Sequence, residues 1–189
     1  YADLNNDGRI DNKDETYLGS PIPKLLLGLN LTANYKNWDF TAYISGTYGN
    51  QLFNYVKYWT HFNAFQRNRA AVYLTEAGKT LPVIDGGDNY SSQRNSYYVE
   101  SGSFTRLRNL QVGYSLDNAT LKKLGLGRFR IYAQGQNLFT LTKYSGLDPD
   151  VTVSNITEGY NSQRDLSLGL DNGRYPIARS IIVGLNVEF

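Results

Sequence analysis

Residues 25–45 read "LLLGLNLTANYKNWDFTAYIS", and the alternation within them decides the fold. Leu25, Leu27, Leu29, Leu31, Ala33 and Tyr35 fall on one side, with Leu26, Gly28, Asn30, Thr32 and Asn34 on the other. A period of two is the mark of a β-strand, because successive side chains point to opposite faces. Beyond a short turn at Lys36 and Asn37, Trp38, Phe40, Ala42 and Ile44 alternate with Asp39, Thr41, Tyr43 and Ser45. The two runs predict a hairpin.

Three more runs repeat the pattern. Within 104–116, Leu110, Val112, Tyr114 and Leu116 oppose Asn109, Gln111, Gly113 and Ser115. Within 128–138, Phe129, Ile131, Ala133 and Gly135 oppose Arg130, Tyr132, Gln134 and Gln136. At the end, Ile181, Val183, Leu185, Val187 and Phe189 alternate with Ile182, Gly184, Asn186 and Glu188. Each run has an apolar face and a small or polar one, and each is about as long as the ~9–11 residues of a tilted membrane-crossing strand. Soluble sandwich strands are usually nearer ~5–6 residues. The connections alternate in length: short at Lys36, compact and helix-compatible over 117–127 ("DNATLKKLGLG"), long and irregular over 49–103 and 140–179. Short periplasmic turns and long outer loops characterise outer-membrane barrels. If the first strand runs inward, both long loops lie outside and Phe189 ends at the periplasmic rim. Tyr35, Trp38, Tyr114, Phe129 and Phe189 then gather where an interfacial aromatic girdle belongs. Five strands cannot close a barrel, so further strands are expected upstream.

Composition agrees with strands and turns: 16 Tyr, 8 Phe and 18 Gly among 189 residues. With no Met, and with Tyr1 not followed by a charged-then-apolar leader, the chain is expected to be an internal or C-terminal piece of a longer protein. Without Cys there are no disulfides, thiolates or Cys-based zinc sites. A net charge of +2 without any Lys/Arg run argues against nucleic acid. No apolar stretch approaches the ~18 residues of a membrane helix, so any membrane crossing is by strands.

The stretch "DLNNDGRIDNKDE" carries a different pattern. Asp3, Asn5, Asp7, Gly8, Asp11 and Asp14 fit positions 1, 3, 5, 6, 9 and 12 of a calcium loop, with the Arg9 carbonyl at position 7. Calcium takes six to eight oxygens, and this set supplies carboxylates, an amide and a carbonyl. Ile10 sits where such loops anchor an apolar side chain. Asp14 departs from the EF-hand, which uses a longer, bidentate Glu there; dockerin-type loops, which the stretch also resembles, use Asp. Gly19, Ser20, Pro21 and Pro23 break the chain soon afterwards, so no helix completes an EF-hand. The expected ion is structural Ca2+, with Mg2+ as the alternative; a metal-free Asn/Asp/Gly-rich tip is the other reading.

Five stretches in order, "DLNNDGRID", "YLGSPIPKLLLGLNL", "SGSFTRLRNLQVGYSL", "LGRFRIYAQGQNLFTLTKYSGLDPDV" and "YPIARSIIVGLNVEF", resemble the SusC/RagA family of TonB-dependent outer-membrane receptors. The resemblance covers nearly the whole chain apart from the long loops. It implies an all-β fold, the last five or so strands of a 22-stranded transmembrane antiparallel barrel in the outer membrane. The plug domain is absent from this chain. It also implies no enzyme but TonB-energised import of oligosaccharides or peptides, with a SusD-like surface lipoprotein as partner. The alternating closing strand ending in Phe189 resembles the signal read by the barrel assembly machinery. The alternative function is a soluble, calcium-stabilised β domain that binds glycans or proteins at a cell surface.

The remaining candidates are weaker. His61 is the single histidine, which eliminates His-pair metal sites and disfavours a nucleophile–histidine triad. Around it, Phe53, Tyr55, Tyr58, Trp59 and Phe62 fold a long loop onto itself or stack on sugar rings; Tyr55, Tyr58 and Trp59 are the substrate-binding candidates. "AFQRNRAAVYLTEAG" predicts a short helix ending at Gly78. Asn109, Gln111, Arg130, Gln134 and Gln136 are expected to face the lumen, where polarity is required whatever the cargo. "GLGRF" and "DGGDN" read as turns, not phosphate cradles.

Overall fold

The structure is a computed structural model that describes residues 2–61, 71–81, 83, 93–151 and 168–189. The predicted "DGGDN" turn, Phe62 and the first half of the predicted helix lie outside these residues. The chain divides into two compact units, Lys24–Tyr48, Ser103–Lys143 and Pro176–Phe189 forming one, and Tyr1–Pro23, Gly49–Gly102 and Tyr144–Tyr175 the other.

The first unit is a five-stranded sheet of β1 (Leu25–Tyr35), β2 (Trp38–Tyr48), β5 (Phe104–Ser115), β6 (Arg128–Thr142) and β8 (Ser180–Glu188), in that spatial order. Every neighbouring pair is antiparallel. The faces read from alternation line up strand by strand. Tyr35, Trp38, Tyr114, Ile131 and Leu185 are successive register partners, as are Ala33, Phe40, Val112, Ala133 and Val183. Leu31, Ala42, Leu110, Gly135 and Ile181 form a third such row. Direct partners share a face, so one side of the sheet is apolar throughout. The opposite side carries the rows Asn34, Asp39, Gly113, Tyr132, Gly184 and Thr32, Thr41, Gln111, Gln134, Ile182.

Much of the apolar side is exposed, although Ala42 of β2 at 5 % and Leu107 of β5 at 7 % are buried. Leu29 is 50 % exposed, Val183 69 % and Ile181 81 %. With strands ~4.8 Å apart and rising ~3.4 Å per residue, the apolar face spans about 600 Å², at the upper end of what a monomeric soluble protein leaves in one patch. From Leu25 to Tyr35 is about 34 Å along the strand, or about 26 Å along a membrane normal at ~40° tilt. That matches the ~25 Å apolar band of an outer-membrane barrel.

Alternation fails at Leu107–Arg108–Asn109, and the sheet shows why. Leu107 pairs with Ile44 and Asn109 with Tyr43, which leaves Arg108 as the extra residue of a bulge. On the other neighbour the register also slips, between Leu107 opposite Phe139 and Asn109 opposite Gln136, beside Asn137 at φ 51°. The bulge carries β6 past the predicted stop at Leu138, to Thr142. Between β5 and β6 lies α3 (Asn118–Leu124), capped by Asp117 at its N-terminus and by left-handed Gly125 at its C-terminus.

The second unit occupies the long connections, which are not structureless. β3 (Gln51–Asn54) pairs antiparallel with β4 (Val99–Ser101) and parallel with β7 (Leu170–Asp171). The main-chain oxygens of Ser20 and Gly169 accept from Gln51 and Phe53 at 2.8 Å each. α1 (Tyr55–His61) follows β3 directly, and α2 (Ala71–Glu76) ends just before Gly78 at φ 78°, as the sequence predicts. Tyr98 is the buried centre of this unit.

Candidate functional site

The acidic loop is held by its own carboxylates. Asp3 accepts from the amides of Gly8 (2.8 Å) and Asp7 (3.3 Å), Asn5 Oδ1 from Asp7, and Asp7 Oδ1 from Arg9. Gly8 takes the bend at φ 79°, a conformation that suits a residue without Cβ. Asp14 joins the two arms: its oxygens accept from the Leu4 and Asp11 amides, each at 2.8 Å. Those bonds, Asp11 first and then Leu4, hold the Asp14 carboxyl below the usual aspartate value of 3.8. Asp11 in turn accepts from Lys13 and caps a single 3-10 turn, Asn12–Asp14, with no α-helix after it. Ile10 is exposed and does not anchor the loop.

All six predicted ligands thus lie within one closed loop. Among the described residues, however, no three acidic or histidine side chains converge as a ready metal cluster. The donor chemistry suits a hard cation: several carboxylate lone pairs are free beside the amide hydrogen bonds.

The aromatic candidates of α1 are engaged with one another. Tyr55 lies 4.7 Å from the Phe53 ring, 5.7 Å from Tyr58 and 5.7 Å from Trp59, and Tyr58 lies 5.2 Å from Tyr98. Such tilted and edge-on pairs are the geometry of a folded aromatic cluster. His61 Nδ1 sits 2.6 Å from the Tyr97 hydroxyl; burial and the Lys57 charge push its pKa below the usual value.

Sequence reading did not find the polar network beneath this cluster. Lys57 Nζ donates to the Tyr97 carbonyl (2.9 Å) and pairs with Glu100 (3.3 Å). The Ser145 amide and hydroxyl donate to the same Glu100 carboxylate. Burial works against the Glu100 charge, yet these bonds and Lys57 keep its carboxyl below the usual range. Asp171, almost fully buried, accepts from the Tyr144 hydroxyl and from the Gly173 amide. These partners come from segments 45 or 27 residues apart, a distance no local spacing reveals.

On the polar side of the sheet, Gln134 donates to Asn109 at 2.8 Å. Arg130 reaches across β5 and grips Asp39 of β2 through two nitrogens, passing over Gly113. The predicted lumen residues Asn109, Gln111, Arg130, Gln134 and Gln136 belong to this one side, by the register rows and by their alternation within each strand.

An open antiparallel sheet, apolar on one side and polar on the other, with short connections at one end and long ones at the other, defines the wall of an outer-membrane barrel. Comparison with known proteins agrees. No family model matches the chain. Over its full length it is 33 % identical to TonB-dependent receptor P3 of Formosa agariphila, covering 19 % of that protein. It is 29 % identical to TonB-dependent receptor SusC of Bacteroides thetaiotaomicron, covering 17 %. The RagAB peptide importer in its open-open state superposes with a TM-score of 0.69 at 25 % identity, over 90 % of this chain and 18 % of that one. Along its whole length the chain is therefore similar to a part of TonB-dependent receptors, which are outer-membrane β-barrel proteins. Within that class the likeness to the SusC/RagA type, read from five motifs, holds along the whole chain. The chain spans under a fifth of the length of the curated relatives it matches.

Proposed function

We propose that this chain forms part of the barrel wall of an outer-membrane nutrient importer, driven through TonB and partnered by a SusD-like surface lipoprotein. The observation that carries the reading is the bare apolar face, aligned row by row across five strands and tall enough to match the bilayer. The cargo class is oligosaccharide or peptide; the RagAB peptide importer among the similar solved structures supports import of the peptide kind, and the oligosaccharide alternative stays open to the same barrel. In this reading the acidic loop binds Ca2+ as a brace for the outer side of the barrel, its donors being Asp3, Asn5, Asp7, Asp11, Asp14 and the Arg9 carbonyl.

The test is envelope extraction of the native protein. It is expected to resist high salt, carbonate and chelator and to leave only with detergent. Release by salt or chelator alone overturns the barrel reading and favours a soluble calcium-stabilised β domain at the cell surface.

A further inference from the structure

The end of the sheet that carries the short connections has a chemistry of its own. Main-chain bonds join its parts: the Asn37 carbonyl of the β1–β2 turn accepts from Ser115 at 2.8 Å, Phe129 accepts from Leu116, and Glu188 accepts from Gly127. The turn, the α3 segment and the end of β8 thus form one continuous rim. At its edge the apolar face finishes in aromatic rings, Tyr35, Trp38 and Tyr114, the last two 4.9 Å apart. Tyr35 and Trp38 are both exposed.

Charge appears immediately beyond those rings. The register rows of the apolar face contain no Asp, Glu, Lys or Arg from Leu31 to Leu185. Lys36 stands at the turn tip, exposed, its Nζ 5.4 Å from the centre of the Tyr35 ring, and so leans toward the apolar side. Lys122 and Lys123 are exposed in the last turn of α3, next to the exposed Leu124, while Leu121 anchors the helix inward. The acidic groups of the rim are committed elsewhere. Asp117 caps α3 at the end away from the lysines, Asp39 is held by Arg130, and Glu188 stands opposite Arg128.

An aromatic row followed by exposed cations is the profile that suits an interface with anionic headgroups. A soluble polyanion would need only the charge and would leave the rings and Leu124 without purpose. We propose that Lys36, Lys122 and Lys123 form a binding rim for anionic phospholipid in the leaflet that the short connections face, which for a barrel is the periplasmic one. The inference rests on the barrel-wall reading.

The test uses the full-length receptor that contains this chain, in nanodiscs of phosphatidylethanolamine doped with phosphatidylglycerol. Native mass spectrometry counts the lipids retained on gentle release. Wild type is expected to enrich phosphatidylglycerol, and the triple variant Lys36→Gln/Lys122→Gln/Lys123→Gln to lose that enrichment by at least severalfold, at up to roughly fivefold per lysine. The corresponding triple Arg variant should retain it. Heat-modifiable migration on gels, unchanged in all three, establishes that the barrel is assembled and separates failure of the rim from failure of the barrel reading. Equal enrichment in wild type and the Gln variant overturns the proposal. So does displacement of the lipid by heparin at low micromolar concentration, which would make the rim a site for a soluble polyanion.

Discussion

Asp14 and Gly113 each decide a local geometry by a different physical route. Asp14 accepts two backbone amides ten and three residues away, and its carboxyl is held below 3.8 by them. A carboxyl depressed by folding contributes order that is complete above its ordinary value and is lost as pH falls through the lower folded one. Protection of the Leu4 and Asp11 amides, measured against the intrinsic exchange rate at each pH, is therefore expected to be present at pH 5 and to be lost progressively below about 3.8, with the Asp14→Asn variant unprotected at both. Unchanged protection at pH 3 contradicts the assignment. Gly113 acts by absence: a Cβ there would meet Arg130 Nη2 and Asp39 Oδ1 at 2.4 Å each. Both are tips of flexible side chains, so Gly113→Ala displaces the ion pair and leaves the strand in place. Gly113→Ala and Asp39→Asn should each cost roughly 1–3 kcal/mol, measured as urea stability of the assembled receptor. The double variant should cost no more than the larger single one, because the same bridge is lost once. Additive costs would show that the glycine serves something else.

Among the elements, the strands were legible because an apolar face on one side imposes period two, and their long partners keep one register except at one bulge. Residues 107–109 obscured that place, since an inserted residue flips parity and only a neighbouring strand reveals it. α3 was legible only as a compact, helix-compatible stretch over 117–127; its caps at Asp117 and Gly125 emerge with the fold. β3, β4 and β7 were not: with four, three and two residues they are too short for any periodicity to register, and they exist by pairing with each other across long stretches of chain. The same logic explains the polar network, in which Glu100 and Ser145 meet only after folding. Ile182 and Val183 provide a strict test of the faces, being adjacent, both branched and on opposite sides of β8. Val183→Arg places a cation on the lipid face one row inside the aromatic rim, at a cost between the ~0–1 kcal/mol of the interface and the ~2–4 kcal/mol of the midplane, and is expected to impair assembly. Ile182→Arg joins the row of Thr32, Thr41, Gln111 and Gln134 and is expected to assemble normally. Heat-modifiable migration of the two variants reads the outcome; the reverse pattern would invert the sheet.

For the molecule as a whole, the division into two units predicts how ion removal spreads. The acidic loop belongs with 49–102 and 144–175, whereas the strands of the sheet belong to the other unit. The sheet is stabilised by five strands of main-chain bonds and, in the barrel reading, by lipid; none of its residues is among the proposed calcium donors. The loop has no such support: Asn5, Asp7, Arg9 and Asp11 are exposed, Asp3 and Asp14 half-buried, and its hydrogen bonds run from nearby amides to its carboxylates. A divalent ion there would offset about half the charge of four neighbouring carboxylates, and removing it leaves their mutual repulsion unopposed. Chelation of the full-length receptor, or the double variant Asp3→Asn/Asp7→Asn, should therefore raise amide exchange over residues 2–23 while leaving β1, β2, β5, β6 and β8 as protected as before. Elemental analysis of the purified receptor should show the bound calcium lost in the variant. Retained calcium would place the ion on other ligands, and loosening of the strands together with the loop would show that the two units respond as one.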